Sequence, residues 1–243
     1  MPIIAGFGNQ QSVFVLKKIV IAIDGPAASG KSTTAKLLAK KLGYVYIDTG
    51  AMYRAFTLKA LTENILEQLL VDESLLRQFV ETTDVRLTDA QVWLDGCDVT
   101  AQIRSNEVSK MVSKISALKA VREKLSAIQK KLGEAKGVVM DGRDIGTAIF
   151  PNAELKIYMM ASARERAKRR YAELKSKNSA LDVSLDALEA EIKQRDEEDM
   201  TRAVSPLRKA DDAIVLDTSS LTIEEQVERI YELALEKIHS WKE

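Results

Sequence analysis

Ile19-Val20-Ile21-Ala22-Ile23-Asp24-Gly25-Pro26-Ala27-Ala28-Ser29-Gly30-Lys31-Ser32 runs from a β-branched apolar stretch directly into a glycine-rich loop. The first five residues show no polar alternation, the mark of a strand buried on both faces, and Asp24-Gly25-Pro26 ends it. Residues 25–32 match G-x-x-x-x-G-K-[ST] at every fixed position. Glycines at those places let the backbone wind so that successive N–H groups point inward at phosphate oxygens. The helix that follows turns its positive end to the same point. Lys31 is of a length to reach the β- and γ-phosphates, and the Ser32 hydroxyl is placed to ligate Mg²⁺. The expected ATP-binding set is therefore Gly25, Pro26, Ala27, Ala28, Ser29, Gly30, Lys31, Ser32 and Thr33.

Outward from the loop, Ala35, Leu37, Leu38, Ala39 and Leu42 supply the apolar positions of a helix, and Gly43 stands where its C-terminal cap belongs. Val45–Ile47 repeats the strand pattern up to Asp48-Thr49-Gly50, and a second helix runs through Met52, Phe56 and Leu61. Further apolar runs bounded by turns occupy 138–140, 155–159 and 213–216. Between them the spacing of Val108, Met111, Val112, Ile115, Leu118, Val121, Leu125, Ile128 and Leu132 is helical, and the length of the pattern predicts two helices with a break. Thr222 and Glu225 form a capping-box signature ahead of a last helix carrying Ile223, Val227, Ile230, Leu233 and Leu235. Five continuously apolar strands alternating with helices predict an α/β chain: a P-loop NTPase fold with a five-stranded parallel sheet flanked by helices.

One stretch breaks the rhythm. From Val85 to Val99, Val-Arg-Leu-Thr and Val-Trp-Leu-Asp alternate about Asp89-Ala90, and Asp95-Gly96 follows, which predicts antiparallel hairpins inserted in the α/β chain. The predicted organisation is an N-terminal extension at 1–17, for which an extra strand through Val13–Leu16 is one reading, and one domain at 18–243. Within it, the core covers about 18–62, 106–160 and 205–243, a small β-containing insert about 63–105, and a helical lid about 161–204.

Composition narrows the function classes. Thirty-six Lys plus Arg balance thirty-six Asp plus Glu, which argues against a polycation that coats nucleic acid or an anionic membrane. The single cysteine, Cys97, and the single histidine, His239, leave no internal disulfide and no Cys/His zinc site, and make Ser-His-Asp chemistry improbable. A reducing, cytoplasmic compartment is the default expectation. No apolar run approaches the roughly 18 residues that span a bilayer. The two lysines of the N-terminal stretch follow its apolar part, the reverse of a secretory signal.

Arginine is the residue for planar, bidentate phosphate recognition, and its distribution is informative. None precedes Arg54, just after the second strand; Arg143 follows the third. In an open parallel sheet, ligands gather at the carboxyl ends of strands, so both converge on the edge that holds the phosphate loop. The GTPase signatures N-K-x-D and D-x-x-G are absent. Val138-Val139-Met140-Asp141 resembles a Walker B strand, which keeps a non-kinase ATPase open as a reading.

Asp48-Thr49-Gly50-Ala51-Met52-Tyr53-Arg54, then Asp141-Gly142-Arg143-Asp144-Ile145-Gly146-Thr147, then Arg195-Asp196 through Arg202-Ala203-Val204-Ser205-Pro206-Leu207, together with the phosphate loop, resemble bacterial cytidylate kinases from about residue 18 to the end. The resemblance implies ATP-dependent phosphorylation of CMP and dCMP in pyrimidine metabolism, a Mg²⁺ requirement, and an insert in the monophosphate-binding region. It implies that Arg54, Arg143 and Arg202 clamp the acceptor phosphate with Thr49 and Tyr53 beside it. Ser113, Arg122 and Asp144 would read the cytosine, and Asp199 would accept from a ribose hydroxyl. Lys31, Arg143 and Arg202 are the expected catalytic set.

Residues 161–176 hold six basic and two acidic side chains, and residues 182–199 hold eight acidic and two basic. They read as a helical hairpin after the fourth strand, at the place of a nucleoside monophosphate kinase lid. Some of Arg164, Arg166, Arg170 and Arg195 are expected to meet the transferring phosphoryl group; which of them do, the residues leave open. The expected partners are the small molecules ATP and CMP or dCMP, with no nucleic acid and no membrane. A monomer is the default. Another small-acceptor P-loop kinase, for AMP, UMP, shikimate or a coenzyme precursor, is the nearest rival.

Overall fold

The computed structural model describes residues 17–88, 91–177 and 183–240. The expected extra strand through Val13–Leu16, the turn at Asp89-Ala90 and residues 178–182 of the charged hairpin lie outside the described residues. In chain order the elements are β1 (Val20–Asp24), α1 (Lys31–Leu42), β2 (Val45–Asp48), α2 (Thr49–Thr62), α3 (Leu66–Leu69), α4 (Glu73–Thr82), β3 (Val85–Leu87), β4 (Val92–Leu94), β5 (Cys97–Asp98), a 3₁₀ turn (Gln102–Arg104), α5 (Asn106–Ala117) and α6 (Lys119–Gly133). Then come β6 (Val138–Gly142), a π-helical turn (Ile145–Ile149), β7 (Leu155–Met160), α7 (Ala163–Lys177), α8 (Leu185–Thr201), β8 (Ile214–Asp217) and α9 (Ile223–His239).

Five strands form a parallel sheet in the order β2-β6-β1-β7-β8. All of β1 is buried, as a central parallel strand must be, and its side chains divide by parity between the two faces. Ile19, Ile21 and Ile23 pack with Ala35 and Leu38 of α1 and Ile230 and Ala234 of α9. Val20 and Ala22 pack with Met140, Ile145 and Ile149 on the opposite side. The chain leaves β1 for β2 past β6, then returns through β6 to β7 on the other flank. A crevice therefore opens at the carboxyl ends of β1 and β6, where the strand order reverses.

The local signals act as expected at several points. Gly43, at φ 67°, ends α1 with the N–H groups of Gly43 and Tyr44 bonded to Lys40 and Ala39 carbonyls. Thr222 and Glu225 complete the capping box of α9. The long pattern after residue 105 is two helices, α5 and α6, broken at Leu118, whose backbone is extended. Leu37 departs from expectation: it is 41% exposed, because the buried stripe of α1 follows Thr34, Ala35, Leu38 and Ala39.

Strands β3, β4 and β5 form a separate antiparallel sheet, with Val85 opposite Leu94 and Trp93 opposite Asp98. Its apolar face, Val85, Val92 and Leu94, joins a cluster with Phe56, Phe79, Ile103, Ile115 and Leu125 from α2, α4, the 3₁₀ turn, α5 and α6. Phe56 and Phe79 meet edge to face, centroids 5.8 Å apart. This second core fixes α2 and α5 beside the crevice. The α7–α8 hairpin has a much smaller apolar centre of Ala167, Leu188 and Ile192.

Candidate active site

A cavity of about 580 Å³ lies at the carboxyl ends of β1 and β6, within the size range of small-molecule sites. Its walls come from the loop after β1, the first turn of α2, α5, α6, the segment after β6, and the inner faces of α7 and α8.

The floor is the phosphate loop, residues Ala27–Thr33. Gly25 and Pro26 shape the loop without lining the cavity. Gly25 sits at φ 147°, and a Cβ there would fall 2.0 Å from the carbonyl oxygen of Met159, so only glycine lets β1 turn against β7. Lys31 is 4% exposed and its ammonium donates to the Pro26 carbonyl at 2.6 Å and to Ser29 Oγ at 3.2 Å. Burial, then the neighbouring Arg143, pulls its pKa well below the usual lysine range. An anionic ligand would favour the charged form. Ser32 Oγ donates at 2.8 Å to Asp141 Oδ2, while Tyr46 Oη donates at 2.8 Å to Oδ1 of the same carboxylate. Burial and the nearby Asp48 push Asp141 up to about 6.

Opposite the floor stands an arginine-rich wall. Arg122 pairs with Asp144, both nearly inaccessible to solvent, and Arg202 approaches the other oxygen of Asp144 at 3.5 Å. Arg143 Nε donates to Asp199 at 2.8 Å. Burial opposes the Arg143 cation, yet Asp199 beside it holds the guanidinium above its ordinary pKa. Arg54 donates to the Ile103 carbonyl at 3.2 Å and to Ser109 Oγ at 2.8 Å. Burial and then the Arg195 and Arg104 guanidiniums pull it down to about 9. Thr49 donates from its hydroxyl to the Asp141 carbonyl at 2.7 Å, which ties the start of α2 to β6.

Tyr53 Oη, Arg122 Nε and Arg195 Nε are buried without a hydrogen-bond partner among the described residues, and all three belong to residues that line the cavity. Buried polar atoms are seldom left unmatched, because each costs about 1–3 kcal/mol. Their gathering on one wall fits a site completed by a polar ligand.

The structure brings Thr49, Tyr53, Arg54, Arg122, Arg143, Asp144, Asp199 and Arg202 to this cavity. Ser113 is not among the lining residues; Ser109 and Ser116, on the same helix, are. The four lid arginines divide. Arg170 and Arg195 line the cavity. Arg164 faces outward, paired with Asp186 and Glu189. Arg166 is buried in a two-pronged pair with Asp196, at 3.0 and 2.6 Å, and donates to the Ala27 carbonyl of the phosphate loop. It fastens the α7–α8 hairpin to the loop rather than reaching the cavity.

Sequence reasoning missed Arg104, which pairs with Asp48 at 2.5 Å, and Arg169, which donates to the Ser29 carbonyl and to Thr218. It treated Asp141 only as an ATPase's acid, whereas Asp141 bonds Ser32 of the phosphate loop. An Asp four residues into an apolar strand was the available signal for that one; nothing local marks Arg104 or Arg169.

The chain as a whole is similar to known proteins of one family. The family described as cytidylate kinase matches residues 21–236. A cytidylate kinase of Chloroherpeton thalassium is 62% identical over 228 residues, covering 93% of this chain and 97% of the relative. The Chlorobaculum tepidum protein of that name is 55% identical, covering 89% and 93%, and the one from Bacillus subtilis 52% identical, covering 91% and 98%.

Proposed function

Because the chain belongs to the cytidylate kinase family, we propose that its cavity brings ATP and CMP or dCMP together for direct transfer of the γ-phosphoryl group, giving ADP and CDP or dCDP. The carrying observation is the arginine wall, in which Tyr53 Oη, Arg122 Nε and Arg195 Nε lack a hydrogen-bond partner among the described residues, facing a phosphate loop across one cavity.

A phosphate oxygen of CMP attacks the γ-phosphorus in line, and the bond to the β,γ-bridging oxygen breaks. The acceptor is already anionic near neutral pH, so no general base is required. What the protein must do is hold several negative groups in contact and offset their repulsion. Lys31 leaves its loop partners for the β- and γ-oxygens, and Arg54, Arg143 and Arg202 clamp the acceptor phosphate with Thr49 and Tyr53. Ser32 and Asp141, a hydroxyl and a carboxylate 2.8 Å apart at the loop, offer the hard oxygen donors that suit Mg²⁺. The ion would supply charge neutralisation at the phosphates.

Asp144 and Arg122 are buried in the wall, each under 6% exposed. The carboxylate accepts from the exocyclic amine of cytosine, and Arg122 donates to the ring acceptors. Uracil sets a carbonyl against the same carboxylate, leaving both unmatched. Asp199 accepts from the ribose. The hairpin at 161–204 acts as a lid that carries Arg170 and Arg195 toward the phosphates and excludes water, so that ATP is not simply hydrolysed.

An ADP-release assay across CMP, dCMP, UMP and AMP tests this reading. CMP and dCMP should far exceed the other two, and Asp144→Ala should lower kcat/KM for CMP by about 10²-fold or more while the KM for ATP stays within a few-fold. Equal rates with all four acceptors, or equal damage to both substrates, would overturn it.

A further inference from the structure

Asp24 is the last residue of β1 and the neighbour of Gly25, where the phosphate loop begins. It is 5% exposed and does not line the cavity, yet both oxygens of its carboxylate accept a hydrogen bond. Oδ1 accepts from the Ile145 N–H at 2.9 Å and Oδ2 from the Gly146 N–H at 2.7 Å. These two amides open the π-helical turn Ile145–Ile149, which closes through Ala148 and Ile149 N–H groups on the Asp144 carbonyl and Phe150 N–H on that of Ile145. At the start of such a turn the first N–H groups have no partner within it. Here a side chain 121 and 122 residues away in sequence takes both.

The residues just ahead of that turn are Arg143 and Asp144, which carry the Asp199 and Arg122 pairs of the acceptor wall. The Ile145 side chain is wholly buried against Val20 and Ala22 of β1, so the turn is anchored to β1 at two levels, apolar and polar. Gly146 fits against the same carboxylate: a Cβ there would lie 3.3 Å from Asp24 Oδ2 and 3.2 Å from Lys156 Cδ. Burial makes this anion costly and pushes its pKa up to about 6, with the two amides acting the other way. A carboxylate in such a place is explained by needing two acceptor oxygens side by side. Asparagine would satisfy one amide and set its own NH₂ against the other.

We propose that Asp24 is a positioning residue for acceptor selection: it clamps the backbone of Ile145 and Gly146 to β1 and so holds Asp144 and Arg143 in register with the phosphate loop, touching neither substrate. The inference rests on the assignment of Asp144 to the cytosine ring.

The test compares Asp24→Asn, Gly146→Ala and Asp144→Ala with the parent chain. It measures kcat and KM for CMP and UMP at saturating ATP, calorimetric Kd for a non-hydrolysable ATP analogue, and the thermal midpoint. Asp24→Asn should raise the KM for CMP about tenfold and narrow the CMP-to-UMP ratio by a similar factor, the loss of one well-placed buried hydrogen bond. The analogue's Kd should stay within about threefold. Gly146→Ala keeps the carboxylate and crowds Oδ2 from the other side, and it should show the same split; if Asp24→Asn fails to fold, this variant decides. The proposal is overturned if analogue binding weakens as much as CMP use, or if the CMP-to-UMP ratio holds in these variants while Asp144→Ala abolishes it. A ratio unchanged in Asp144→Ala would remove the base assignment itself, and the positioning role with it.

Discussion

The phosphate loop and the arginine wall face each other across one cavity and are built on opposite principles. The loop is contiguous, residues 25–33, and its shape follows from a few backbone requirements met within those residues: φ 147° at Gly25, 95° at Gly30 and even 58° at Ala28. The wall draws Arg54 from α2, Arg122 from α6, Arg143 and Asp144 from the segment after β6, and Arg195, Asp199 and Arg202 from α8 and its end. Its geometry depends on the second core, around Phe56 and the three-stranded sheet, on which α2, α5 and α6 rest. A local device tolerates change elsewhere in the molecule. A wall collected from distant elements should not.

Phe56→Ala puts the sharpest strain on that contrast. Phe56 is wholly buried, and its truncation should cost about 3–5 kcal/mol of stability, seen as a lowered thermal midpoint. The KM for CMP should rise while the affinity for an ATP analogue is nearly kept. Equal loss on both sides would mean that the loop leans on the second core as much as the wall does. Lys31→Ala strikes from the other direction. Removing the charge that meets the transferring group should lower kcat on the order of 10²–10³-fold for CMP and dCMP alike, measured at saturating substrates. A loss confined to one acceptor would contradict the division of labour.

Arg195 gives the smallest and most discriminating effect. Its Nε has no partner among the described residues, and burial followed by the Arg143 charge lowers its pKa. For a cation whose folded pKa is lowered the sign follows: folding disfavours the proton, the penalty is complete below the folded pKa, and it is relieved as pH rises past it. Arg195→Met should therefore leave the ligand-free thermal midpoint unchanged or raised, by less than about 1 kcal/mol, while kcat falls. A clear destabilisation would show that the wall is held by its own contacts and not poised for a ligand.

The same contrast explains what could be read in advance. The strand ahead of the loop, the loop itself, the glycine cap at 43 and the capping box at 222–225 are short-range patterns, and the structure repeats them. A break into two helices was visible because the apolar pattern is long for one helix, whereas its place at Leu118 came from the structure. Leu37 was misplaced because a helix offers several apolar stripes, and only the neighbouring α9 selects one. The lid arginines were beyond reach for a related reason. Arg164, Arg166, Arg170 and Arg195 have the same chemistry in sequence, and their roles diverge only through what each faces: Asp186, Asp196, or the cavity.

By itself, the sequence determined the parallel sheet, the phosphate-binding loop and the concentration of arginine after strand ends, because apolar period, backbone freedom and charge are properties of neighbouring residues. Only the tertiary structure decided that Asp24 holds the turn after Asp144, that Asp141 meets Ser32, and that Arg166 is spent on Asp196 while Arg195 Nε has no partner among the described residues. Those are contacts between residues far apart in the chain, and no local pattern encodes which distant donor a buried carboxylate will find.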